Sequence, residues 1–273
     1  MQWRTASTWR IQECNDRSGK HCRQVCSCFA LGAKILKDYY PKFAAEIEAK
    51  ADAAYQEGVK KPGACQTASV LSPYIYEEDN WVDDMELGAM ELYKATGDNK
   101  YLAQALEYGR REPVTPWMGA DSARHYQWYP FMNMGHYHLA KVDNSRISKE
   151  FIRNMRTGIE RTYEKAVESP FLHGIPYIWC SNNLTTAMLT QCRLYRETTG
   201  DDTYAEMEAS LRDWLFGCNP WGTSMIVELP LYGDYPSQPP LLTAECRRGQ
   251  YYRRTGGTVL SIVPSSKACA VSI

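Results

Sequence analysis

The sequence predicts an all-α fold built from helical hairpins. Three observations carry this expectation. Apolar residues recur at helical spacing through the middle of the chain. No series of alternating strands is found. One helix–turn–helix segment occurs twice, which is the mark of a repeated hairpin.

The elements run in order along the chain. Cys28 to Tyr40 sets Phe29, Leu31, Ile35 and Leu36 near one helical face. Pro41 suits the first turn of the next helix, where its missing N–H costs nothing. Lys42 to Glu57 is rich in Ala, Glu and Lys, which favour helix, and Gly58, Pro62 and Gly63 then break it. Asp79 to Lys94 carries Val82, Met85, Leu87, Ala89, Met90 and Tyr93 in register, with Asp83 and Asp84 where the helix dipole favours acids. Lys100 to Glu107, Phe131 to Lys141, Lys149 to Val167, Leu184 to Arg196 and Tyr204 to Phe216 complete a set of about eight helices. The repeat pairs Leu92–Asp98 and Tyr101 with Leu194–Asp201 and Tyr204. In both copies Gly supplies a left-handed helix end and Asp caps the start of the next helix. Two copies are compatible with a closed α/α barrel and with an open array.

The ends differ. Residues 1–27 and 240–273 show no convincing core pattern, so the periodic domain spans 28–239. Five of the ten Cys (Cys14, Cys22, Cys26, Cys246 and Cys269) lie in these two end segments. His21, Cys22, Cys26 and Cys28 have irregular spacing and no second ligand pair, which argues against zinc. The formal net charge of −1 argues against a general nucleic-acid binder or a polybasic membrane-surface protein. No apolar run reaches the length of a membrane span, and the first residues carry no apolar signal core.

Several constellations bear on function. Three loops combine aromatic and polar side chains: His125–Pro130 with Trp128 and Tyr129, Trp179–Asn183, and Asn219–Thr223 around Trp221. Tyr and Trp join a flat apolar face to a polar edge. Such faces stack on the C–H faces of sugar rings, while His and Asn bind hydroxyls. If helix pairs surround an axis, loops at one end converge on one cleft for an uncharged polysaccharide. Taken singly, a Trp at a helix end is as well explained by packing. His136 and His138 are two apart and point to different faces, so satisfied core or surface roles are favoured over a metal pair. Asp83 and Asp84 are adjacent and diverge by about 100° on a helix, which favours a first-turn role over a catalytic pair. No nucleophile elbow, Walker loop or dinucleotide fingerprint is present.

Three segments carry a family resemblance. Asn80–Leu87 with Ala89, Glu91–Asp98 and Tyr101-Leu102 is similar to a segment of glycoside hydrolase family 9. Trp179-Cys180-Ser181-Asn182-Asn183 resembles that family's W-G-S-N loop. Asp213–Ser224, with its Asn219-Pro220 pair, resembles its most specific segment. The resemblance covers roughly residues 28–238. It implies an incomplete (α/α)6 barrel and hydrolysis of β-1,4-linked glucan with inversion. Inverting enzymes hold an acid and a base roughly 6.5–9.5 Å apart to admit water. The family draws its base from a D-A-[GS]-D motif, which this sequence lacks, and its acid from a Glu near the C-terminus. Glu228 and Glu245 lie too early and in the wrong context for that acid. No catalytic residue, metal or cofactor is therefore assigned, and the chain is expected to lack both catalytic carboxylates.

The expected substrate-binding residues are His125, Trp128, Tyr129, Trp179, Asn182, Asn183 and Trp221. The expected partner is a β-glucan or cello-oligosaccharide, with no nucleic acid and no membrane, and the folded chain is expected to be a monomer. The family implies secretion or a periplasmic location. Rivals are another α/α-barrel carbohydrate enzyme and a non-catalytic helical-repeat interaction protein. The end segments are expected to be family sequence translated out of frame. Back-translation of Gln12–Cys26 one base along permits a helix-like run that continues into Ser27–Gly32, and shifts from Arg253 and, one further base, from Gly257 permit a family-like Gly-rich segment.

Overall fold

A computed structural model describes residues 19–63, 81–123, 132–178, 181–226 and 229. Eight helices occupy these residues, with no strand among them. They are α1 (Gly19–Leu36), α2 (Pro41–Lys60), α3 (Val82–Thr96), α4 (Asn99–Arg111), α5 (Met134–Ala140), α6 (Ser145–Ala166), α7 (Ser181–Thr199) and α8 (Ala205–Leu215). They fall into two compact units. The first is built on α1–α4 and Met134–Leu139 of α5; the second holds α6–α8 and the described loops from Pro113 onward.

In the first unit α1 lies against α2 and α3, and α3 pairs with α4. Small buried residues set the closeness of the first pair. Cys26, Ala30 and Ala33 line one side of α1, and Ala44, Ile47, Ala51 and Ala54 line α2. A Cβ at Gly32 would stand 3.4 Å from Ile47 Cδ1, so even this half-buried position is near van der Waals contact. α1 begins at Gly19, earlier than the periodicity from Cys28 predicts. Cys26, ahead of that periodicity, is fully buried, with Sγ 3.8 Å from the Gly88 carbonyl oxygen, and acts as a small hydrophobe that extends the Ala30 and Ala33 stripe backward. The Tyr101 hydroxyl of α4 donates to Asp52 Oδ1 of α2 at 2.5 Å and meets the Tyr55 ring edge-on at 5.9 Å.

In the second unit α6 lies against α7, and α7 pairs with α8. Phe151, Met155 and Ile159 form the buried stripe of α6. Its start at Ser145 precedes the expected Lys149 because Asn144 caps it. The Asn144 Oδ1 accepts from the N–H groups of Arg146 (3.1 Å) and Ile147 (3.3 Å). Arg196 Nη2 reaches Glu208 Oε1 at 2.8 Å and ties α7 to α8.

The sequence repeat is a structural repeat. At the end of α3 the Thr96 hydroxyl donates to the Leu92 carbonyl (2.7 Å), Gly97 takes φ +74, and Asp98 N–H donates back to Thr96 Oγ1 (3.2 Å). At the end of α7 the Thr199 hydroxyl donates to the Tyr195 carbonyl (2.8 Å), Gly200 takes φ +71, and Asp201 N–H donates to Thr199 Oγ1 (3.1 Å). Each aspartate then accepts from the N–H two residues on, Lys100 in one copy and Thr203 in the other, both at 2.9 Å. The copies diverge only afterward: α4 starts at Asn99, whereas α8 starts at Ala205.

Candidate functional site

The short turn after α7 makes α7 and α8 an antiparallel hairpin, so the start of α7 and the end of α8 share one end. The aromatic and amide residues of the second unit gather there. Asn219 organises the segment after α8. Its Nδ2 donates to the carbonyls of Trp214 (2.9 Å) and Thr223 (2.8 Å), and its Oδ1 accepts from Trp221 N–H (3.1 Å). Asn219 is buried, and every one of these bonds is local. The Asn-Pro pair is thus a backbone clasp, and its product is the placement of Trp221. The Trp221 ring stands edge-on to Trp214, with centroids 5.7 Å apart and planes at 82°. Trp214, Leu215 and Met225 form the core beneath, with Phe171, Leu189, Trp221 and Ile226 against it.

The loop before α7 adds a stack that the sequence reading missed. His173 lies over Trp214, with ring centroids 3.9 Å apart and planes at 22°. Tyr177 lies over His173 at 5.2 Å and 18°, and 45% of Tyr177 is exposed. His173 Nε2 is 3.1 Å from Thr185 Oγ1 of α7, and Thr185 donates its own proton to the Ser181 carbonyl at 3.2 Å. His173 therefore donates from Nε2. Its Nδ1 is buried without a partner among the described residues. Burial pushes its pKa down to about 4, so the ring is neutral at ordinary pH. The signal for this stack was the nearness of His173 and Tyr177 to Trp179 in sequence; nothing in helical periodicity marks it.

The expected binding residues divide into two groups. Asn182 and Asn183 lie in the first turn of α7, Asn182 buried and Asn183 half-buried, and Trp221 is half-buried at the same hairpin end. His125, Trp128, Tyr129 and Trp179 lie outside the described residues, as do Glu228 and Glu245.

The first unit holds two carboxylate–histidine clusters. Glu86 of α3 and His136 of α5 are each 2% exposed, with His136 Nδ1 2.7 and 2.8 Å from the two carboxylate oxygens. Burial raises the Glu86 pKa, against the opposing pull of His136. A Cβ at Gly135 would stand 2.6 Å from Glu86 Cγ, so glycine permits this approach of α5 to α3. Glu91 Oε1 meets His138 Nε2 at 2.9 Å and Lys94 Nζ at 2.7 Å. Burial raises the Glu91 pKa, but the bonds from His138 and Lys94 outweigh it and leave the group below its ordinary value. The two histidines thus face different glutamates, as residues two apart on a helix must. Asp83 and Asp84 lie in the first turn of α3. Among the described residues no group of three or more His, Cys, Asp or Glu side chains is placed to hold a metal.

Repeated helical hairpins, with aromatic and amide side chains gathered at one hairpin end, define an all-α protein of the helical-hairpin class. The chain belongs to glycosyl hydrolase family 9, whose model matches residues 2–255. That match reaches into both segments flanking 28–239. A cellulose 1,4-beta-cellobiosidase of Acetivibrio thermocellus is 25% identical over 236 residues, which cover 77% of this chain and 26% of the relative. A metagenome-derived glycoside hydrolase family 9 endoglucanase superposes with a TM-score of 0.62 at 17% identity, over 81% of this chain and 40% of its own. The cellulase Cel9M of C. cellulolyticum, in complex with cellobiose, gives 0.59 at 17% identity, over 81% and 49%. The chain thus carries part of the family's (α/α)6-barrel fold and spans about a quarter of its curated relative.

Proposed function

We propose that this chain is the glucan-binding portion of an inverting β-glucan hydrolase and does not by itself turn over substrate. One observation carries the reading. At the shared end of α7 and α8, Tyr177 (45% exposed) and half-buried Trp221 present rings, the buried neutral His173 and Trp214 stack beneath and beside them, and Asn183 lies in the adjoining first turn. Flat rings and amides without a charged side chain suit the C–H faces and hydroxyls of a neutral glucan. Asn182, His125, Trp128, Tyr129 and Trp179 belong to the same proposed surface. The relatives support this substrate class, since one is a cellobiosidase and another was solved with cellobiose. Extracellular action on a polymer as a monomer, with no nucleic acid or membrane, belongs to the same reading. Among the described residues no helix is long and apolar enough to cross a membrane.

The sequence has no D-A-[GS]-D motif, and the buried glutamates of the first unit are committed to histidines. An acid and a base are each worth about 10²–10⁴-fold. Tryptophan fluorescence of the 273-residue chain titrated with cellohexaose is expected to saturate. The Trp221→Ala variant is expected to bind about tenfold more weakly, in line with ring-stacking losses of about 1–3 kcal/mol. Barley β-glucan should give reducing ends at the blank rate. An unquenched titration, or turnover well above blank, contradicts the reading.

A further inference from the structure

His173 sits where three helices of the second unit come together. Its ring is nearly parallel to Trp214 of α8, its Nε2 lies 3.1 Å from Thr185 Oγ1 of α7, and the residue after it is pressed onto α6. A Cβ at Gly174 would collide with the Thr162 carbonyl oxygen and stand 2.9 Å from the Ala166 nitrogen, so glycine permits this approach. The imidazole is therefore fixed from both sides.

Tyr177 is the most exposed of the three rings, and ring contacts set its plane. It lies parallel to His173 (centroids 5.2 Å, planes at 18°) and tilted against Trp214 (5.9 Å, 40°). With His173 and Trp214 only 3.9 Å apart, the three centroids make a triangle, and the imidazole fills the corner between phenol and indole. Without the imidazole, the phenol borders a gap the size of a ring.

We propose that His173 is a positioning residue of the glucan site: its neutral imidazole sets the plane of the Tyr177 ring for a sugar face, and a charge on that imidazole loosens the ring and weakens binding. The inference rests on the glucan reading above and adds how the exposed ring is held. Ordering a loose side chain at the moment of binding costs affinity, and a ring held beforehand avoids that cost. Thr185 already gives its proton to the Ser181 carbonyl, so it accepts from Nε2 and leaves Nδ1 to take a second proton. Nδ1 is buried with no hydrogen-bond partner among the described residues. The groups around the ring are the Trp214 indole, the Tyr177 phenol, the Thr185 hydroxyl and the backbone contact of Gly174 with α6; none is an Asp, Glu, Lys or Arg. Burial raises the Tyr177 pKa, so the phenol stays neutral through the acid range. The backbone carbonyl of His173 itself favours the charged ring, but burial outweighs it. A charged imidazole is thus driven toward water, and leaving its corner removes the support of Tyr177.

The test reads cellohexaose affinity of the full chain by calorimetry, because losing His173 also changes the emission of Trp214. At pH 7, Tyr177→Ala and His173→Ala are each expected to bind about fivefold more weakly. The double variant is expected to bind no more weakly than Tyr177→Ala, since a residue acting through Tyr177 then has nothing to position. His173→Phe is expected to recover most of the lost affinity. The parent is expected to bind about twofold more weakly at pH 4 than at pH 7, because about half of the imidazoles are charged there. His173→Phe is expected to give a flat profile. Melting temperatures establish that each protein is folded at the assay temperature and pH; if His173→Ala is not, the two pH profiles decide. Additive losses in the double variant, or equal pH profiles for parent and His173→Phe, overturn the positioning role. The glucan site still stands in that case, provided that Trp221→Ala binds more weakly. No saturable binding by the parent overturns the glucan reading, and this inference with it.

Discussion

His173 shows how one residue links fold and site. It is buried, stacked on Trp214 and bonded to Thr185, and its pKa is pushed down to about 4. The unfolded chain protonates this imidazole near pH 6.5, whereas the folded chain resists until about pH 4. The unfolded state therefore binds more protons as pH falls through that interval. Stability is full above about pH 6.5 and declines toward pH 4 by up to roughly 3 kcal/mol. Thermal melts of the parent should shift downward over this range. The His173→Phe variant, which keeps a ring against Trp214, should melt lower at pH 7 yet vary less between pH 6.5 and 4; an equal slope would detach His173 from the acid sensitivity. Asn219 teaches a complementary lesson. The Asn-Pro segment was legible as a family mark, but the side chain spends its bonds on backbone. It serves the site through Trp221.

At the scale of elements, helices were legible wherever apolar periodicity was strong, and their ends were legible where a turn residue had a single chemistry. Gly97 and Gly200 take the left-handed conformation that the Thr-Gly-Asp repeat predicts. Boundaries set by capping or by small residues were missed. α6 starts at Ser145 because Asn144 bonds two N–H groups, a signal present in the Asp143-Asn144-Ser145 run. α1 starts at Gly19, ahead of the apolar periodicity, and Cys26 within it packs as a small buried side chain in line with Ala30 and Ala33. The cap gives a direct test. Asn144→Ala removes acceptors for two N–H groups and should lower stability by about 1 kcal/mol, read as a reduced denaturation midpoint at unchanged slope. Asn144→Asp should restore it, since a carboxylate accepts the same bonds and suits the positive end of the helix. The histidine pairs were legible only in part. Spacing showed that His136 and His138 face different ways, but the glutamates lie on another helix, and a lone sequence cannot pair them.

For the whole molecule, the all-α class was legible because eight described helices follow the patterns that predicted them. The carbohydrate site was half legible: its loops announced themselves by composition, whereas the His173 stack depends on three segments meeting. The end segments pose a question about the gene. The question is whether Gln12–Cys26 and the residues after Arg253 are family sequence read out of frame. A DNA read should show family-like codons one base along at both places. An intact reading frame with no such codons leaves the residues as they stand, in keeping with a family match that runs from residue 2 to 255.

The two Thr-Gly-Asp turns close their hydrogen bonds within themselves, calling on no neighbour for their shape. Each is a self-contained joint. Helices on either side are free to change their surfaces as long as the joint keeps the residues that make these bonds, Leu92–Lys100 in one copy and Tyr195–Thr203 in the other. An architecture assembled from such joints tolerates wide sequence drift, and this chain still superposes on relatives that share only about one residue in six with it. The joints are also the natural places to cut and exchange: a hairpin lifted out between them carries its own ends.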